Sequence, residues 1–297
     1  VSGPRVRPDP AAPHLLVDAR AFLGEGPVWD ARIGRIAWVD ILAGRLHLTA
    51  PDGATRTIQL PAAVGCLAPR ASGGWVVALA DGFWAVTEDG ETDRLADVQS
   101  DRPDLRFNDG KCDPGGRFWA GTMALDHRSG AGALHRLDPD LTVHRMLDDV
   151  SISNGLDWSL DGRTMYYVDT PTRRIDAFDF DPPSGSISGR RTFATIDRAD
   201  GAPDGLTVDA EGGLWLALWD GWRIRRYRPD GSMDREIRFP CSEVSCPVFG
   251  GPELDELYVT TAWELLDEAR HAAEPHAGGL FRVYPGVRGR LPNAFAG

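Results

Sequence analysis

The stretch NGLDWSLDGRTMYYVD, residues 154–169, carries the pattern that decides the fold. A polar residue, Asn154, leads a short apolar run, a glycine turn follows at Asp161-Gly162, and a strand rich in aromatic and β-branched residues comes next. The same order recurs in EGPVWDARIGRIAWVD (25–40), NDGKCDPGGRFWAG (108–121) and DGLTVDAEGGLWLALW (204–219). Weaker copies are GCLAPRASGGWVVAL (65–79) and SCPVFGGPELDELYVTT (245–261). A repeat of about 40 to 50 residues, all strand and turn, is the signature of a β-propeller. Six copies predict an all-β, six-bladed propeller over residues 14–297, behind a disordered, Pro-rich lead over residues 1–13.

Two segments lie outside the repeats. HLLVDA (14–19) precedes the first copy and GLFRVY (279–284) follows the last inner strand. A ring closes most cheaply when a strand from one terminus pairs into the blade built by the other, because that removes an exposed sheet edge. Residues 14–19 are therefore expected as the outermost strand of the sixth blade. The one helical candidate, WELLDEARHAAE (263–274), reads as a short excursion within that blade.

Composition narrows the function. Lys and Arg total 32 against 44 Asp and Glu, giving a net charge of −12. That balance argues against a nucleic-acid partner and favours a bound cation. No apolar run approaches the roughly 18 residues of a membrane span. The N-terminal VSGPRVRPDPAAP lacks an apolar core after Arg5 and Arg7, so it reads as a lead and not a signal peptide. Cys66, Cys112, Cys241 and Cys246 read as buried thiols of a cytoplasmic protein, a Cys241–Cys246 disulfide being the minority alternative.

In a propeller, equivalent repeat positions lie at one radius around the central channel. Glu25, Asn108, Asn154 and Asp204 share such a position, so four oxygen-bearing side chains should converge at the channel mouth. Asn-Gly and Asp-Gly pairs usually mark turns, but the hairpin turns already fall at Gly116, Gly162 and Gly212. Oxygen ligands with at least two carboxylates suit a hard divalent cation such as Ca²⁺ or Mg²⁺, whereas Zn²⁺ more usually recruits His or Cys. Gly65 occupies this phase in the second blade and reads as a gap through which substrate enters. Arg106 and Lys111 flank Asn108 and could bind a substrate oxygen or pair with Asp104, Asp109 or Asp113. His127, in a loop after a channel-side strand, reads first as a solvated residue, with approach to substrate as the alternative. There is no G-x-S-x-G elbow, phosphate-binding loop or H-E-x-x-H motif.

LGEGPVW (23–29), RFNDGK (106–111), AGTM (120–123), SNGLDWS (153–159), PDGLTVD (203–209) and FGGPELDELYVTTA (249–262) resemble, in order, the motifs of the SMP-30/gluconolactonase/regucalcin family. The resemblance runs from about residue 14 to residue 284. It implies a six-bladed propeller with one divalent metal in the channel, Ca²⁺ foremost with Zn²⁺, Mn²⁺ or Mg²⁺ as alternatives, and hydrolysis of a small sugar lactone. Carried over by residue, it implies Glu25, Asn154 and Asp204 as metal ligands and Arg106 as a substrate-binding residue. It puts Asn108 beside metal and substrate and lets Asp204 serve as catalytic proton acceptor. No nucleic-acid, membrane or obligate protein partner is implied. Some members carry a substrate-contacting glutamate two residues after the GTM motif, where this chain has Leu125, so the preferred sugar is not inherited. The alternatives are a non-catalytic Ca²⁺-binding propeller and a metal-dependent esterase or organophosphatase on the same frame.

Overall fold

Residues 12–297 are described by a computed structural model; of the expected Pro-rich lead, residues 1–11 lie outside the described residues. Six four-stranded antiparallel sheets form the blades of a propeller. Their innermost strands are Gly24–Asp30, Val64–Pro69, Leu105–Cys112, Ser153–Trp158, Ala202–Val208 and Val244–Gly250, one per repeat. The sixth blade pairs His14–Val17 with Leu280–Val283, so the two ends of the chain close the ring as expected. The helical segment in 263–274 is a single short helix, Glu268–Ala273.

Blades hold together through apolar faces packed on the next blade. Leu46, Ile58 and Val39 of the first blade meet Trp75 and Val77 of the second, and Ile175 and Ala177 of the fourth meet Leu214 and Leu216 of the fifth. Each buried Val, Leu or Ile among them contributes about 1.5–3 kcal/mol relative to exposure. The hairpins that deliver these strands are locked by a recurring aspartate. Asp113 accepts from the backbone N–H of Gly115 and Arg117 and from Trp119 Nε1. Asp209 repeats the arrangement with Glu211, Gly213 and Trp215 Nε1. The turn and the buried indole are thus fixed by one carboxylate.

The innermost strands share one irregularity. Pairing with the second strand slips between Glu25 and Val28, Val64 and Cys66, Phe107 and Gly110, Ser153 and Leu156, Pro203 and Leu206, and Val244 and Cys246. A β-bulge at the same height in all six blades bends each strand and re-aims its side chains. Asn154-Gly155 and Asp204-Gly205 lie inside these bulged strands and are not turns. Gly155 is required by the close approach of neighbouring strands, because a Cβ there would lie 2.5 Å from Leu206 N and 2.7 Å from Asp204 O.

The same contact corrects the reading of Gly65. A Cβ on Gly65 would lie 2.6 Å from Asn108 O, so the third blade's backbone fills that position and no entrance opens there. All four cysteines are free and buried, and Cys241 and Cys246 do not form a disulfide.

Gly155→Ala should force the fourth and fifth inner strands apart and cost about 1–3 kcal/mol. Thermal unfolding of the purified variant checks this. A melting temperature equal to that of the unsubstituted protein contradicts the strand contact.

Candidate active site

The bulges bring the residues singled out by repeat phase to one place. Glu25, Arg106, Asn108, Asn154 and Asp204 line a single cavity of about 180 Å³ at the channel mouth, together with Met123, His127, Trp219, Glu264 and Leu265. Glu25, Asn154 and Asp204 come from the first, fourth and fifth blades, and all three are buried.

Hydrogen bonds fix the orientation of each group. Thr170 Oγ1 gives its proton to Pro203 O at 2.9 Å, so it accepts from Asn154 Nδ2 at 3.0 Å. That settles which end of the Asn154 amide is oxygen. Asn154 Oδ1 is left buried with no hydrogen-bond partner. One oxygen of Glu25 accepts from Gly26 N at 2.9 Å. Arg106 Nη1 donates to Asn108 Oδ1 at 2.6 Å and to Phe107 O at 3.0 Å, while Asn108 Nδ2 donates to Ser153 O at 2.7 Å. Asn108 therefore braces the guanidinium against the neighbouring blade.

The electrostatics ask for positive charge. Burial, then the nearby charge of Asp109, pushes the Glu25 carboxyl up to about 8, with the Gly26 N–H and Arg106 pulling it back. Burial, Glu25 and Asp109 together hold Asp204 well above the usual carboxylate range. Burial lowers Arg106, against the fields of Glu264, Glu25 and Asp204. Arg106 alone does not neutralise the pair. Two mutually repelling buried carboxylates beside an unsatisfied amide oxygen make an acceptor set that a hard divalent cation fits. Among the described residues no three His, Cys, Asp or Glu side chains form a metal-sized cluster, because the third member of this set is an amide.

Some expectations fall elsewhere. Lys111 turns to the far end of the channel, where its Nζ meets Asp157 at 3.2 Å and Leu206 O at 2.9 Å. Arg290 meets the same carboxylate there at 3.3 Å, beside a second cavity of about 210 Å³. Asp104 binds Arg102 and Arg128, and Asp113 binds Arg117, so neither competes for Arg106. Leu125 is 54 % exposed and does not line the cavity. His127 is exposed, as read, and also lines the mouth. Glu264 and Leu265 were not anticipated, because they come from the excursion 262–279, outside every repeat.

The fold and site define a six-bladed propeller with an acidic, cation-compatible pocket at one mouth of its channel. A family profile described as SMP-30/Gluconolactonase/LRE-like region matches residues 23–263, and the chain belongs to that family. It is 40 % identical over 286 residues to YvrE of Bacillus subtilis (strain 168), provisionally named a sugar lactone lactonase, covering 95 % of this chain and 98 % of that one. It is also 40 % identical to regucalcin of Xenopus laevis, over 96 % of this chain and 98 % of the relative. A crystal structure of the calcium-binding protein regucalcin from Agrobacterium tumefaciens superimposes with a TM-score of 0.92 at 32 % identity, over 96 % of this chain and 98 % of that one. Among the described residues no helix is long and apolar enough to cross a membrane.

The Glu25 carboxyl sets a pH dependence. It holds its proton more tightly folded than unfolded, so the folded state binds more protons between about pH 4.5 and 8. With chelator present, stability should therefore fall as pH rises through that window, and Glu25→Gln should remove more than about 1 kcal/mol of the fall. Urea unfolding of both proteins at the two ends of the window measures it. Identical slopes would contradict the assignment.

Proposed function

We propose that the chain is a divalent-metal-dependent hydrolase of sugar lactones, opening an aldonolactone to its aldonic acid. The observation that carries this reading is the convergence of Glu25, Asp204 and the unpartnered Asn154 Oδ1 on one cavity wall beside Arg106. The names of the relatives support it, since one is provisionally named a sugar lactone lactonase and another is called a calcium-binding protein.

Glu25, Asn154 and Asp204 would hold the cation, Ca²⁺ being favoured by an all-oxygen set; Mn²⁺, Mg²⁺ and Zn²⁺ are the alternatives. When bound, such a cation supplies Lewis-acid polarisation of a carbonyl and stabilises developing negative charge. The chain's own groups do the rest. Arg106 donates to the lactone's oxygens and orients the ring, held in place by Asn108. Asp204 accepts the proton as water oxygen bonds to the carbonyl carbon, because a monodentate carboxylate keeps a second oxygen free. The ring C–O bond then breaks, the proton passes to the departing ring oxygen as a hydroxyl, and the product leaves as an open-chain acid. No covalent enzyme intermediate is needed. The far end of the channel, where Lys111 and Arg290 neutralise Asp157, takes no part.

A second reading has its own support. Leu23, Met123, Ile152, Trp219 and Leu265 make much of the cavity wall apolar, which favours a metal-dependent esterase or lactonase acting on a less polar ring. A non-catalytic, calcium-binding propeller shares the ligands and lacks turnover.

A screen of pentono- and hexonolactones with Ca²⁺, Mn²⁺, Zn²⁺ and Mg²⁺ separates these readings. Metal-dependent acid release from a sugar lactone is the expected result, and turnover confined to aryl esters or apolar lactones overturns it. Asp204→Asn should weaken metal binding in calorimetry and lower kcat together, since it keeps the shape and removes a charge. Arg106→Ala should lower kcat/KM about ten-fold or more with the metal still bound, because a charged donor is lost. If kcat/KM is unchanged on every accepted lactone, Arg106 has no part in binding.

A further inference from the structure

Two residues of the cavity wall, Glu264 and Leu265, come from the connection 262–279, which joins Glu256–Thr261 to Leu280–Val283 in the sixth blade. The connection is anchored. Trp263 N donates to Ala21 O at 3.1 Å, and Glu264 N donates to Phe22 O at 2.8 Å. His271 stacks on the Trp263 indole with ring centroids 3.9 Å apart. Arg270 ties the helix to Asp220 and Glu243. Between these anchors stand Glu264, half-buried, and Leu265, which is 71 % exposed and held at φ 63°. Across the mouth, His127 sits at φ 58° on the third blade. A non-glycine residue in this region is uncommon and persists where its surroundings fix it. The rim positions are therefore set by the scaffold.

The Glu264 side chain is left without a partner of its own. Among the described residues no hydrogen bond or salt bridge engages its carboxylate; it feels the charges of Arg106 and His127 across the cavity. A carboxylate is an acceptor only, and it fits hydroxyl groups. Set among Met123, Trp219 and Leu265, it is the one acidic group on the rim away from Glu25 and Asp204. We propose that Glu264 is a specificity-determining residue that accepts hydrogen bonds from the hydroxyls of the substrate's polyol portion and so selects hydroxylated lactones over apolar ones. This rests on the hydrolase reading above. A site built to bond a hydroxyl penalises the analogue lacking it, because the buried polar group is then left unpaired.

The test compares D-glucono-δ-lactone with δ-valerolactone, and separately measures calorimetric binding of a linear hexitol in Ca²⁺. For Glu264→Leu, the ratio of kcat/KM for the hydroxylated over the plain lactone should fall about ten-fold or more. Glu264→Gln, which keeps an acceptor oxygen, should recover part of it. Hexitol affinity should fall in the same order. A ratio within about two-fold of the unsubstituted protein's overturns the proposal, as does an equal loss on both lactones, which would mean that Glu264 acts through Arg106. If the unsubstituted protein turns over neither lactone, the hydrolase reading is decided by the wider lactone screen and the role of Glu264 by the hexitol arm alone. Absence of hexitol binding, or equal binding by Glu264→Leu, then overturns the role of Glu264.

Discussion

Two carboxylates buried side by side at the channel mouth set the terms for the rest of this structure. Burial raises the proton affinity of both; Asp109 adds to the rise at Glu25, and Glu25 and then Asp109 add to it at Asp204. An arrangement of that kind costs free energy unless protons or positive charge enter it. The protein offers Arg106, but one of its nitrogens is engaged by Asn108 and Phe107 O. Asn154 Oδ1 supplies a third acceptor where no protein donor reaches it. The fold thus spends buried polar groups at one point, which is the mark of a binding site and not of a core.

What places those groups is backbone geometry. All six inner strands are bulged, four of them supply side chains to the mouth, and glycines let the strands touch where the ring narrows. The propeller also explains why the two ends of the channel differ. At the mouth the acids face each other; at the far end Asp157 lies between Lys111 and Arg290, with Thr207 and backbone N–H groups completing its shell. The Asp157 carboxylate there is already neutralised by protein cations.

Much of this was legible in the sequence because it is periodic. The phase shared by Glu25, Asn108, Asn154 and Asp204 predicted that they would meet, and the unassigned segment at 14–19 predicted the closure that His14–Val17 makes. What was not legible lies outside the period or depends on register. The bulges decide that Asn154-Gly155 is strand and that Gly65 faces the backbone of Asn108, and no local residue pattern announces them. Lys111 meets Asp157, a partner the sequence did not suggest, because a step of a few residues along a strand exchanges one end of the channel for the other. Glu264 belongs to an insertion whose position depends on anchors 242 to 243 residues away in the chain, at Phe22 and Ala21.

The central claim is that Glu25, Asn154 and Asp204 form one cation site. The most direct measurement is an anomalous difference map from crystals soaked in Mn²⁺, whose signal marks the ion independently of any activity. The account predicts one dominant peak within coordination distance of Glu25, Asn154 Oδ1 and Asp204, lost in Asp204→Asn crystals. A map with no peak at the channel mouth, or with its dominant peak beside Asp157 at the far end, would contradict it.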